Sequence, residues 1–464
     1  MNKTVLIGLE IHAQMKTVSK MFSSAPSSFG EEPNTSTSSL DFALPGTMPS
    51  VNKQAVINAI RMCHALNMSI DDELLFERKN YFYHDLAKGF QITQKNRPIG
   101  TNGFLLINGK KISILELHLE EDTCKQVLFE DYLLLDYNRS GIPLLEIVSG
   151  TDISNGQEAR QYIEKIRSIL MFLNISDGKM EEGSLRVDVN VSIKGNPRVE
   201  IKNINTLKNV ENAIDYEIER QQKLICSGDS VIQETRRYDE DNKMTVSMRE
   251  KTDSIEYRYC VEINIPPIKL TSEFINEAID SSPELAEERM NRYIKMGLDE
   301  NSASQIVASV DKADYFEKLL QEGINIRLAA NWMNVEMQTI SKKDKIKDGA
   351  FPLEAKELAT LLRLIQEGKI PHTIGKEIFF SAIEKGEDIK DVIARYDLSI
   401  IDNEDDIKTI IAEIIDNNPQ LVDDYKNGKN RVVSYIVGKT MKKTSGQVNP
   451  GLTNKLVLEE LKGR

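Results

Sequence analysis

Glu10, His12 and Gln14 take alternate positions in TVLIGLEIHAQM, with Val5, Ile7, Leu9 and Ile11 between them. At the two-residue period of a strand the apolar set faces a core. The polar set then lines the opposite face, about 7 Å apart. A carboxylate and an imidazole so placed can share a divalent cation, and the pattern recurs. In RVDVNVSI (186–193), Val187, Val189, Val191 and Ile193 point inward, while Arg186, Asp188, Asn190 and Ser192 point outward. In RVEIKNI (198–204), Val199 and Ile201 point inward, which turns Glu200 and Lys202 to the side of Asp188. LELHLEED (115–122) and PLLEIVS (143–149) add Glu120, Glu121 and Glu146. Dispersed carboxylates suit a hard ion such as Mg²⁺, which takes few protein ligands and leaves room for water and phosphate. His12 can supply one nitrogen ligand or orient a bound water. Strand parity groups Glu120 with His118 and Glu121 with the leucines. A bulge at the strand end would reverse this, so both stay open. Any one of these acids alone reads as part of a solvated sheet face. Their recurrence on the polar faces of at least three strands points to a site.

The cationic candidates are Arg236 in QETRRYD, with its neighbour Arg237, and Arg186; such side chains can clamp phosphate oxygens in bidentate fashion. Locally, Asp239 and Glu240 offer the Arg236–Arg237 pair a plain surface ion pair. Lys439, Lys442 and Lys443 suggest a phosphate-backbone contact surface, against the alternative of ordinary solvated helix faces. RKNYFYHDLAKGFQITQ (78–94) interleaves aromatic and polar residues, as a channel lining, a nucleic-acid contact or a buried loop would. Trp332 reads as core. The sequence has no GxxxxGK[ST] phosphate loop, no GxGxxG fingerprint and no GxSxG elbow. Any use of ATP therefore proceeds without a Walker motif.

These residues need a sheet to hold them, and the chain supplies one. The strands 186–193 and 198–204 read as a hairpin around Gly195-Asn196-Pro197. Residues 158–173 and 209–225 carry apolar residues at helical spacing. Strands and helices do not alternate rhythmically, so the expected class is α+β rather than doubly wound. From about residue 270 the patterning is almost wholly helical, with glycines closing several helices. At 464 residues, two or three domains are expected. We assign 1–290 to a mixed or antiparallel-sheet cradle, 291–404 to an all-α domain and 405–464 to a small helical tail, with the acidic stretch 400–419 read as the link. The net charge of −13 argues against a wholesale basic coat. The tail inverts it: from Lys426 to Arg464, nine Lys and Arg face only Glu459 and Glu460, a net +7. No apolar run approaches a membrane span, no secretory signal opens the chain, and the four scattered cysteines fit reduced thiols. A cytoplasmic location is expected.

The motifs GLEIHAQMKT, SKMFS, PNTST, LPGTMPSVN, RKNYFYHDLAKGFQITQ, HLEED, DYNRSGIPLLEIVS, KMEEGSLRVDVNVS, EIKNIN, QETRRYD and YRY stand in this order. Together they resemble the GatB family, one of the subunits of the tRNA-dependent amidotransferases, over essentially the whole chain. GQVNPGLTNKLVLEELK resembles that family's YqeY-like tail. The resemblance implies a cradle related to the glutamine synthetase fold, with Mg²⁺ and ATP. There the side-chain carboxylate of Glu-tRNA(Gln) or Asp-tRNA(Asn) is activated. Ammonia arrives from a partner amidase (glutaminase) subunit, which cleaves glutamine, and a small third subunit braces the pair. The helical and tail domains bind tRNA, so Lys439, Lys442 and Lys443 become tRNA contacts. Carried over, the catalytic and metal residues are Glu10, His12, Glu121, Asp188 and Glu200, with Glu120 and Glu146 close by. Lys79 falls at the ammonia channel, and Arg186 and Arg236 are our own candidates for nucleotide contacts. Some members carry Cys pairs between SKMF and LPG; SAPSSFGEEPNTSTSS has none, so zinc is not expected. Other departures are His84 and Ala87 for prolines, Cys124 for a glycine and Asn264 for an acid. Cys124 and Asn264 motivate a rival reading, a tRNA-binding scaffold that has lost the activation step.

Overall fold

In a computed structural model, residues 4–250, 257–340, 351–395, 403–426, 431–444, 448 and 450–464 are described. They form two compact units, Met1–Leu285 and Ala286–Arg464. The architecture is α+β, with a large sheet in the first unit and helices throughout the second.

The strands of the first unit are β1 (Val5–Gln14), β2 (Ser69–Ile70), β3 (Glu73–Leu74), β4 (Glu77–Asn80), β5 (Phe90–Thr93), β6 (Gly100–Ile107), β7 (Lys110–Glu121) and β8 (Lys125–Phe129). There follow β9 (Tyr132–Asp136), β10 (Pro143–Ser149), β11 (Leu185–Ile193), β12 (Val199–Lys202), β13 (Glu234–Asp239), β14 (Met244–Glu250), β15 (Cys260–Val261) and β16 (Ile268–Lys269). Its helices are α1 (Lys53–Ala65), α2 (Gly156–Phe172), α3 (Leu207–Ser227) and α4 (Ser272–Asp280). Nine strands make one sheet in the order β14-β13-β12-β11-β1-β10-β7-β6-β2. Every pairing in it is antiparallel except β12 with β13.

The expected alternation governs this sheet. Ile7, Leu9, Ile11, Val187, Val189 and Val191 are all at most 2% exposed and join one core with Ile60, Tyr162, Ile163, Ile166, Val210 and Ile214 of α1, α2 and α3. Helices therefore cover one face, and the polar residues are left on the other. Each helix starts where a side chain satisfies its first amides: Asn52 for α1, Asn155 for α2 and Thr206 for α3. α3 stops at Gly228, whose φ of 88° suits a residue without a Cβ. The expected 186–204 hairpin is present, with Asn190 opposite Glu200.

The segment between β1 and α1 is pinned by an ion pair out of water. Lys20, fully buried, donates from Nζ to Asp41 Oδ2 at 3.1 Å and to the carbonyl of Tyr137 at 3.0 Å. Gly141 (φ +80°) passes so close that a Cβ there would lie 2.9 Å from Asp41 Oδ1.

The helical pattern sets in at Ser272 as read, but α4 packs on α1 and belongs to the first unit. In the second unit one core gathers Tyr293, Phe316, Trp332, Leu358 and Phe379, so Trp332 is core as expected. Another gathers Ile407, Ile411, Ile415, Val432, Ile436, Leu456 and Val457. The acidic stretch does not serve as a link over its described residues. Glu404–Asp416 is a helix whose isoleucines fall on one stripe inside that last core. Among the described residues no helix is long and apolar enough to cross a membrane.

Candidate active site

The uncovered face of the sheet is the floor of a cleft of about 960 Å³. Cross-strand register builds it. His12 stands opposite Arg186 on β11 and Glu146 on β10, and Glu146 stands opposite His118 on β7. One row further, Glu10 is flanked by Asp188 and Val148. A wall rises from the small sheet β15-β4-β5, which contributes Lys79, Gln91 and Thr93, and Tyr81, Tyr257 and Tyr259 stand beside it.

Three side chains at the centre could share a cation. One ligand atom each from His12, Glu120 and Glu146 lies within 4.8 Å of the others, about twice a metal–oxygen distance for a hard divalent ion. His12 Nε2 is 3.9 Å from Glu146 Oε1. Burial lowers the His12 pKa despite its acidic neighbours, which leaves the imidazole neutral and its nitrogen free to coordinate. Glu120 accepts from Thr93 Oγ1 at 2.6 Å and Gln91 Nε2 at 3.3 Å. Burial would raise its carboxyl, but the charge of Lys79 and the hydrogen bond from Thr93 hold it below the usual range. Glu146 moves the other way, pushed well up by burial and by the charges of Glu120 and Glu10. Two carboxyl groups forced together in this way lose their conflict when a cation sits between them.

Lys79 closes this end of the cleft, with Nζ 5.0 Å from the ring centre of Tyr257. Burial would lower its pKa, but Glu120, Tyr259 and Glu146 raise it overall, so it stays charged. At the other end Lys202 Nζ lies 2.6 Å from Asp188 and 3.3 Å from Glu200, while Arg186 Nη2 lies 2.9 Å from Asp122. Arg198 and Lys95 also line the cleft.

Residues 5–276 match the family described as GatB/GatE catalytic domain, and residues 314–461 match the family described as GatB domain. The chain is 42% identical over 473 residues to the B subunit of the aspartyl/glutamyl-tRNA(Asn/Gln) amidotransferase of Mycoplasma capricolum, covering 99% of each chain. It is 42% identical over 476 residues to the protein of that name from Geobacillus thermodenitrificans, covering 100% of each. The chain belongs to the GatB family.

Against the site read from the sequence and the GatB resemblance, the cleft brings together Glu10, His12, Glu146, Asp188, Glu200, Arg186 and Lys79. It does not bring in Glu121. Register runs unbroken from Glu116 to Glu121, and the irregularity in β7 comes earlier, between Ile114 and Glu116. Parity therefore holds: Glu120 faces the cleft and Glu121 the opposite side. There the Glu121 carboxylate is tied to Lys88 Nζ and accepts the amide of Ile92 at 3.0 Å. Nor does the cleft include Arg236. β12 and β13 pair in parallel with Arg236 beside buried Ile201, which puts it on the helix side. There it binds Glu234 at 2.6 Å and Thr245 Oγ1 at 2.9 Å, near Glu217 of α3.

Of the departures from the GatB pattern, neither Cys124 nor Asn264 reaches the cleft. Cys124 is fully buried beyond the end of β7, and Asn264 lines a separate cavity of about 220 Å³ with Arg78, Lys88 and Glu262. Sequence reasoning had turned Lys202 to the side of Asp188 and offered 78–94, which holds Thr93, as a channel lining; it missed Asp122, Tyr257 and Tyr259 as cleft residues. For Asp122 its place directly after the acids was an available signal. No periodicity marks the two tyrosines.

In the second unit Lys439, Lys442 and Lys443 share one helix, Arg431–Lys443, and all are exposed. Lys443 Nζ is 2.5 Å from Glu413, and Lys439 lies 5.7 Å from the ring centre of Tyr435.

Proposed function

We propose that this chain carries the activation site of a cytoplasmic tRNA-dependent amidotransferase, working with an amidase (glutaminase) subunit that supplies ammonia and a small third subunit. Its substrates are ATP and a tRNA bearing a misplaced glutamate or aspartate. The observation that carries this reading is the meeting of His12, Glu120 and Glu146 on the floor of a polar cleft that also holds Arg186, Arg198 and Lys202.

A carboxylate cannot expel oxide to an amine. The tRNA-borne carboxylate oxygen must first attack the γ-phosphorus of ATP, releasing ADP and forming an acyl phosphate. Ammonia then attacks the carbonyl carbon, phosphate leaves, and the nitrogen loses a proton to give the amide. Two carboxylates and a neutral imidazole fit a hard divalent ion with open positions, and Mg²⁺ is the ion we assign. Bound there, it would neutralise charge on the transferring phosphoryl group. Glu10, Asp188 and Glu200 shape the acidic floor beside it, Arg186 contacts the phosphate chain, and Lys79 stands where ammonia enters. The cradle (1–290) is assigned a glutamine synthetase-like plan. The helical domain (291–404) and tail (405–464) hold the tRNA, with Lys439, Lys442 and Lys443 on its backbone.

The scaffold reading is weaker, because the acids are present and Cys124 and Asn264 lie away from the cleft. The deciding experiment is the assembled complex given ammonium, ATP, Mg²⁺ and Glu-tRNA or Asp-tRNA. Amide formation with stoichiometric ADP is expected. Intact ATP in the presence of mischarged tRNA would reject activation and favour the scaffold.

A further inference from the structure

One buried acid at the edge of the cleft has no part in the chemistry above. Asp122 follows directly on β7 and is 3% exposed. Its carboxylate accepts Gln14 Nε2 at 2.7 Å and the amide of Thr123 at 2.9 Å, and forms ion pairs with Arg186 Nη2 at 2.9 Å and Arg139 Nε at 3.8 Å. Arg139 turns the other way as well, donating to the carbonyls of Thr123 at 2.9 Å and Cys124 at 2.7 Å at the base of the β8–β9 hairpin. Burial by itself would raise the Asp122 carboxyl, but Arg186 and Arg139 outweigh it and keep it ionised.

Arg186 is the solvent-facing member of this group. Its side chain is 41% exposed and lines the cleft, while Asp122 beneath it is closed to solvent. Nη2 is paired with Asp122; Nε is buried and has no hydrogen-bond partner among the described residues. A guanidinium is a rigid planar fork, so pairing one of its nitrogens with a buried acid restricts how far the rest can swing. A side chain ordered beforehand spares its ligand the entropy of ordering it.

We propose that Asp122 is a positioning residue: by holding one nitrogen of Arg186 it aims the remaining donors at the phosphate chain of the nucleotide. This rests on the reading of the cleft as a nucleotide site. It predicts a dependence that a merely structural knot lacks, because the effect of Asp122 must pass through Arg186.

The test uses the assembled complex and measures KM for ATP, kcat and thermal midpoint for Asp122→Asn, Arg186→Met and the double variant. Asp122→Asn is expected to raise KM for ATP about three- to tenfold, the range for releasing one ordered side chain, and to leave kcat at saturating ATP nearly unchanged. In the Arg186→Met background the same change should leave KM where it was. An equal rise in both backgrounds would overturn the proposal. A raised KM in Arg186→Met with none in Asp122→Asn would reject the positioning alone, whereas an unchanged KM in Arg186→Met would reject the nucleotide role of Arg186. Should Asp122→Asn fail to fold, Asp122→Glu keeps the charge but displaces it; it should raise KM for ATP and not for tRNA, and no rise would overturn the proposal.

Discussion

Glu120 and Glu121 are chemically alike and adjacent, yet one peptide unit sends them to opposite sides of a sheet. Glu120 meets His12 and Glu146, and Glu121 meets Lys88. Their amides should therefore fail in different ways. Glu120→Gln removes one anionic donor and is expected to weaken Mg²⁺-dependent turnover by more than the roughly 10–100-fold that outer partners of a metal site are worth. Its thermal midpoint should hold or rise, since the conflict with Glu146 is relieved. Glu121→Gln takes the nearest counter-charge from Lys88, a lysine largely out of water, and should cost up to about 3 kcal/mol of stability, while the Mg²⁺ dependence of the remaining activity is unaltered. Turnover against Mg²⁺ and thermal melts on both variants check this. A shifted Mg²⁺ requirement in Glu121→Gln alone would reverse the assignment.

At the scale of elements, the cleft wall depends on how β15 is held to β4. Arg78 on β4 binds Glu262 through Nε at 2.6 Å and Nη2 at 2.9 Å, and lies 4.2 Å from the ring centre of Phe90 on β5. Burial would raise the Glu262 carboxyl, but Arg78 holds it below the usual range. A carboxyl whose folded pKa is depressed stabilises the fold above its unfolded pKa, about 4.3 for glutamate. That contribution fades as pH falls through the lower folded value. Glu262→Gln should thus cost about 1.5–3 kcal/mol at pH 7, and the gap in urea midpoint between it and the parent should close in acid. A gap of constant size down to about pH 3, below the unfolded value, would reject the charge as its source. The period-two pattern of β1, β11 and β12 made the floor of the cleft legible in sequence, because side chains must alternate there. Arg236 was not legible: its face depends on β13 pairing in parallel with β12, a partner choice that no local pattern encodes. The run 78–94 was read as a possible channel lining, but its meeting with Tyr257 was not legible, since β4, β5 and Tyr257 come together only through long-range contacts. For Glu404–Asp416 the acidic residues masked an isoleucine stripe that was present all along.

For the whole molecule, the telling feature is how charge is divided. With +7 on residues 426–464 and −13 overall, the first 425 residues carry −20 by difference. An acidic body repels a polyanion, so attraction to tRNA must come from local basic surface such as the helix Arg431–Lys443. The three lysines there should not contribute equally. Lys439 and Lys442 are exposed, whereas Lys443 already has Glu413 as a partner and must give it up to meet a phosphate. Each lysine on the backbone releases about one counterion, and removing one lowers the slope of log affinity against log salt by about 0.7–0.9. Lys439→Ala and Lys442→Ala should each show that loss, and Lys443→Ala clearly less. Glu413→Gln frees Lys443 and should raise affinity for tRNA at low salt. Filter binding of tRNA to the assembled complex between about 50 and 200 mM salt, the range where such contacts dominate, measures all four slopes. Four unchanged slopes would take the tRNA surface away from this helix.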